Sequence, residues 1–168
     1  MMKMSDKYKE LIAKYPKLFA IDDDKPSPYS ERGIACGEGW YDLLNALCHQ
    51  IQSYTDQTSQ PVQPLVQQIK EKFGTLSFYI SGYNDYVRGL ISMAESMSAH
   101  ICEECGEKGT RQPNMSWIKT LCHNCYHEWD NIREAKWGNI KKPLDAAIEG
   151  VEEAYEDEVE LYKTYGGE

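Results

Sequence analysis

The chain has 168 residues, 41% hydrophobic and 27% charged, which suits one globular core plus a small metal-held appendage. No stretch approaches the roughly eighteen apolar residues that span a bilayer, and Met1-Met2-Lys3-Met4-Ser5-Asp6-Lys7 has no apolar run behind it, so no secretory signal and no membrane partner are expected. The net charge is −9, but Leu144 to Glu168 holds nine acidic residues against one lysine, leaving the first 143 residues at −1. Acidity therefore argues against phosphate binding only for the tail.

In chain order, Ser5 to Ala20 predicts an amphipathic helix on Tyr8, Leu11, Ile12, Tyr15 and Leu18, ended early or distorted by Pro16. Ile21 to Gly33, rich in Asp, Pro and Ser, reads as a loop. After Gly37-Glu38-Gly39, Trp40 to Tyr54 predicts a helix with Trp40, Leu43, Leu44, Leu47, Ile51 and Tyr54 on one stripe. Thr55 to Pro61 is polar and loop-like. A hairpin follows: Leu76, Phe78 and Ile80 alternate with polar or amphipathic neighbours. Upstream, Leu65, Ile69 and Phe73 suit a strand, while Val62, Val66, Ile69 and Phe73 would suit a helix. The turn chemistry of Phe73-Gly74-Thr75 favours the strand. Asn84 to Ile101 predicts a helix on Val87, Leu90, Ile91, Ala94, Met97 and Ile101, delivering the chain into Cys102. Tyr126 to Trp137 and Leu144 to Tyr162 predict two more, the last with an apolar stripe and an acidic back.

Six cysteines in a cytoplasmic chain, the expected compartment, point to metal or packing roles rather than disulfides. Cys102-Glu103-Glu104-Cys105 and Cys122-His123-Asn124-Cys125 are two C-x-x-C pairs sixteen residues apart. Zinc takes four soft ligands in a tetrahedron, and two intervening residues let each pair wrap one edge. Gly106 follows the first pair where such a turn takes a positive φ. The pattern predicts a structural Zn2+ held by Cys102, Cys105, Cys122 and Cys125, with two separate redox dithiols as the competing reading. His100, His123 and His127 crowd the region, and a three-cysteine, one-histidine set using His127 or His123 is an alternative. Four thiolates leave no open position for water, so the metal is read as structural. Zinc-bound histidine–asparagine–histidine endonucleases have similar cysteine pairs, but their general-base histidine has no counterpart between Gly106 and Leu121.

Other candidates are weaker. Lys108, Arg111 and Lys119, then Arg133, Lys136, Lys141 and Lys142, interleave with Trp117, Trp129 and Trp137 as a nucleic-acid surface would, or simply offset the charge of a four-thiolate zinc. Gly37-Glu38-Gly39 precedes a helix like a phosphate loop, yet Glu38 would repel anions and no Walker lysine follows, so a helix-start turn is expected. Cys36 and Cys48 are read as packing, Asp22-Asp23-Asp24 as a solvated loop. Tyr79 and Trp40 would line a ligand pocket if one lies between the hairpin and the Trp40 helix. The last helix packs on its own body, pairs in a homodimer, fits a partner groove, or mimics DNA phosphate.

Gly37-Glu38-Gly39-Trp40-Tyr41-Asp42-Leu43-Leu44 resembles the G-D-G-W-x-x-L opening of a family of small phage- and prophage-encoded zinc-binding proteins. Val66 to Tyr79 is similar to that family's V-K-E-K-F-G-x-L-R-F-Y block, and Cys102-Glu103-Glu104-Cys105-Gly106, Trp117 and Thr120-Leu121-Cys122 to its C-E-x-C-G … W … T-L-C ending. The likeness covers Ile34 to about Cys125. Cys125 stands where members often have histidine, and Ser77 where they often have arginine. The resemblance implies a phage context and location in the host cytoplasm. It carries no activity to transfer.

The fold expected is α+β: a small antiparallel sheet packed by helices (1–101), a four-cysteine zinc ribbon or knuckle (102–126) and an acidic helical extension (127–168). With no catalytic constellation legible, the expected function is a zinc-stabilised phage-type interaction module that binds and modulates a host macromolecule, a host protein foremost. A nucleic-acid-binding zinc protein is the first alternative, a small-ligand binder or enzyme the second.

Overall fold

The computed structural model describes residues 5–20, 33–58, 61–113, 115, 117–129, 131 and 132. Met1–Cys125 forms one compact unit and Tyr126–Glu168 a second. The predicted acidic helix from Leu144 lies outside the described residues.

Helix α1, Asp6–Lys14, starts where the Ser5 hydroxyl accepts the Tyr8 amide at 3.4 Å, a side-chain cap for an otherwise unpaired donor. It ends early, as Pro16 leads the sequence to predict. Tyr15 precedes a proline, which disfavours helical backbone there, and residues 16–20 are turn. A 3-10 turn, Glu38–Trp40, leads into α2, Tyr41–Gln57. That helix outruns its predicted end at Tyr54, because Thr55 is buried and returns its hydroxyl to the Ile51 carbonyl at 2.8 Å.

Strands β1, Leu65–Lys72, and β2, Thr75–Ser81, form the predicted antiparallel hairpin. The helix-like spacing of Val66 and Ile69 has a structural cause. The register shifts between Val66 and Gln68, and a bulge of this kind lets residues three apart face the same side. Val66 and Ile69 are both buried. Neither edge of the hairpin is left bare. Ala35 bridges β1 in parallel, its amide donating to the Ile69 carbonyl at 3.0 Å and its carbonyl accepting the Glu71 amide at 2.9 Å. On the β2 side, the Leu76 amide donates to Ser98 Oγ at 2.8 Å and the Phe78 amide to Glu95 Oε1 at 2.9 Å. Side chains thus saturate donors that would otherwise template another strand.

Both residues belong to α3, Asp85–Ser98, capped by Asn84. Val87, Ile91 and Ala94 bury as predicted, but Met97 is 46% exposed and Ser98 takes its place inside. The helix stops short of Ile101. The core joins α1, α2, α3 and one face of the hairpin around Trp40, Leu44, Ile51, Ile69, Leu76 and Phe78. Each such side chain contributes about 1.5–3 kcal/mol on burial. A second short hairpin, β3 (Thr110–Gln112) with β4 (Lys119–Leu121), follows. Residues 123–129 are helical. No helix among the described residues is long and apolar enough to cross a membrane.

Candidate metal centre

The four cysteines of the two C-x-x-C pairs meet: the Sγ atoms of Cys102, Cys105, Cys122 and Cys125 all lie within 4.8 Å of one another. Cys105 Sγ and Cys122 Sγ are 3.6 Å apart. A tetrahedron with metal–sulfur bonds of about 2.3 Å has an edge of about 3.8 Å, so this spacing suits four thiolates around one ion, and it is far longer than a disulfide. His100 and His123 are exposed and stand outside the cluster.

Local backbone chemistry shapes each pair. Cys102 donates its amide to the Glu107 carbonyl at 2.7 Å and accepts the Gly106 amide at 2.9 Å, and Gly106 has the positive φ, 84°, that its position predicts. The Cys125 amide points at Cys122 Sγ at 3.4 Å. That N–H, helped by the neighbouring sulfurs, lowers the Cys122 thiol to about 7. Burial and the other sulfurs push Cys125 up. At Cys105 the Glu107 amide favours the thiolate, but burial and the sulfurs of Cys102 and Cys122 outweigh it and raise the thiol. Like groups this close resist ionising together unless a cation shares the charge.

The knuckle does not hang free of the fold. The Gly39 amide donates to the Glu103 carbonyl at 2.7 Å, and the indole N–H of buried Trp40 to the Ile101 carbonyl at 2.8 Å. Glu103, also buried, accepts the Gly37 amide on Oε1 at 2.8 Å and Lys119 Nζ on Oε2 at 3.2 Å. Burial pushes its carboxyl up while Lys119 pulls it back. The two glycines belong to a helix-start turn, as expected, and not to a phosphate loop, and they also take a contact from the first cysteine pair. A Cβ on Gly37 would collide with the Glu103 carbonyl oxygen. The Gly37-Glu38-Gly39-Trp40 segment is the seat on which the first cysteine pair rests.

The hairpin tip docks on the same unit. Thr120 Oγ1 donates to the Gly74 carbonyl at 2.6 Å, Arg111 Nε to the Phe73 carbonyl at 2.7 Å, and Trp117 Nε1 to Glu71 Oε2 at 2.8 Å. The three sequence blocks from Gly37, Glu71 and Cys102 thus converge on one place, which only long-range packing could reveal.

Several predicted site residues lie elsewhere. The Lys119 side chain is only 12% exposed, and its ammonium pairs with Glu103 and, at 2.7 Å, with Glu104. Burial opposes its charge, yet the two carboxylates outweigh that and hold it above its usual range. It is not part of an open basic surface. Trp40 is wholly buried, whereas Tyr79 is 45% exposed between buried Phe78 and Ile80. They lie on opposite faces of the hairpin and line no common pocket. Cys36 sits 3.4 Å from the Tyr8 hydroxyl, and burial pushes both Cys36 and Cys48 up to about 12. Both are packing thiols. Asp22-Asp23-Asp24 and the basic residues from Arg133 lie outside the described residues.

No family model matches this chain, and neither does any curated protein or solved structure.

Proposed function

We propose that Cys102, Cys105, Cys122 and Cys125 hold one Zn2+, and that the chain is a zinc-stabilised interaction module of phage type that binds and modulates a host macromolecule. The observation that carries the metal assignment is the convergence of four thiols within 4.8 Å. Four sulfurs at C-x2-C spacing separated by sixteen residues match zinc better than an iron–sulfur cluster, whose cysteines follow other spacings. With all four positions taken by protein, the ion would supply folding energy and no site for substrate.

The rest of the reading follows from what the metal holds in place. The knuckle fixes β3 and β4 against the tip of the β1–β2 hairpin, so the exposed side chains of both hairpins become one rigid surface. Such preorganisation favours binding, because little freedom is lost on association. A host protein is the partner expected from the sequence. A nucleic-acid ligand is the second reading, favoured by cations that accompany exposed rings on the hairpin: Lys70 Nζ lies 5.5 Å from the Tyr79 ring centre and Lys72 Nζ 5.6 Å from that of Phe73.

Purification of the full chain from host lysate, followed by metal analysis and mass spectrometry of co-purifying material, tests the reading. Zinc together with a stoichiometric host macromolecule supports it. A zinc-loaded, partner-free protein that turns over a small substrate contradicts it.

A further inference from the structure

Phe73 is an anomaly in the hairpin. It occupies the first position of a two-residue turn between Lys72 and Thr75, and both turn residues have positive φ, 52° at Phe73 and 81° at Gly74. Turns of this kind take Asn, Asp or Gly at that position, since a side chain in left-handed backbone is strained. Phe73 bears that strain while 63% exposed, so core packing does not explain it. Strain at an exposed residue points to function. Trp117 is also largely exposed, at 60%. The Glu71 carboxylate ties the turn to Trp117, accepting the Gly74 amide at 2.6 Å and the Trp117 indole at 2.8 Å.

The solvent face of the hairpin continues the pattern. Gln68 pairs with Tyr79, Lys70 with Ser77 and Lys72 with Thr75. That face carries two lysines, an exposed tyrosine and no carboxylate among the described residues. Glu71, the acid of β1, points to the other side and is engaged by Gly74 and Trp117. A track therefore runs from Tyr79 past Lys70 and Lys72 to Phe73, where Arg111 Nε meets the Phe73 carbonyl at 2.7 Å. Ammonium groups accompany both rings and the Arg111 side chain stands at the Phe73 carbonyl, which suits alternating flat bases and phosphates.

We infer that this face binds single-stranded nucleic acid, with bases stacking on Tyr79 and Phe73 and phosphates lying against Lys70, Lys72 and Arg111. The inference rests on the interaction-module reading and takes its second ligand, a nucleic acid, in place of the host protein.

The test uses the full zinc-loaded chain and fluorescently labelled (dT)20 and (rU)20, read by anisotropy across a salt series. Binding should weaken with salt. Lys70→Ala/Lys72→Ala should reduce the slope of log affinity against log salt by about 0.7 for each phosphate no longer neutralised. Tyr79→Ala should weaken binding on the order of tenfold, and Tyr79→Phe should restore most of it. Phe73→Asn separates function from structure. Relief of the turn strain should raise the thermal midpoint by about 2–4 °C, while loss of the ring should weaken binding on the order of tenfold. Zinc-loaded, cooperatively folded protein that binds neither oligonucleotide at low salt overturns this ligand and leaves the module reading standing. Binding unchanged by all these substitutions overturns the site. Protein that carries no zinc overturns the module reading itself.

Discussion

Gly39 and Cys102 approach so closely that a methyl group on Gly39 would collide with the Cys102 carbonyl oxygen and stand 2.5 Å from the Gly106 amide nitrogen. Both are backbone atoms at the first cysteine pair, so neither can swing aside. Gly39→Ala should therefore lift the knuckle from its seat, destabilising the folded chain by about 1–3 kcal/mol and weakening its hold on zinc. Chemical denaturation of the metal-loaded protein checks the first effect and chelator competition the second. A silent substitution would mean that the knuckle does not rest on this segment.

Gly89 provides the opposite case. It lies mid-helix in α3, and an added Cβ there meets nothing within 4 Å. Gly89→Ala should stabilise the protein by about 0.5–1 kcal/mol, from restricted freedom of the unfolded chain. The same denaturation experiment reads it.

Glu103 joins the Gly37 amide to Lys119 from a buried position. Glu103→Ala would strand that amide and remove one carboxylate from Lys119. A loss of about 3 kcal/mol is expected, in the range for breaking one side of a buried pair. Substitution of exposed Glu107 should change stability by less than about 0.5 kcal/mol. Equal effects of the two would remove the latch role assigned to Glu103.

Zinc retention should depend on pH in a stated direction. The metal takes thiolates, so binding displaces protons. Cys105 and Cys125 are raised, and a bound metal would have to deprotonate them throughout the neutral range. Cys122 is lowered to about 7 by the Cys125 amide; above that pH it is already ionised, and below it contributes another displaced proton. Affinity should fall as pH falls, more steeply below about 7. Competition with a chromophoric chelator at pH 8, 7 and 6 measures the slope. An affinity flat across that range would argue against a thiolate site.

What the sequence made legible was local. Period-two alternation at Leu76, Phe78 and Ile80 and turn chemistry at Phe73-Gly74 found the hairpin, and helical stripes found α2 and α3. The cysteine spacing singled out the four residues that the fold brings together. What stayed hidden depends on partners distant in the chain. Val66 and Ile69 looked helical because a bulge was invisible. Gly37 and Gly39 are small because Glu103 and Cys102 press on them. Lys119 looked like a surface cation until Glu103 and Glu104 closed on it. Met97 and Ser98 exchanged roles because β2 needed a hydrogen-bond acceptor on its open edge.

The central claim is that four cysteines hold one structural zinc ion, and quantitative metal analysis of the purified full chain tests it most directly. About one zinc per chain is expected, lost together with cooperative folding of residues around the knuckle in Cys122→Ser. A metal-free protein with an unchanged fold and four freely reactive thiols at Cys102, Cys105, Cys122 and Cys125 would contradict it.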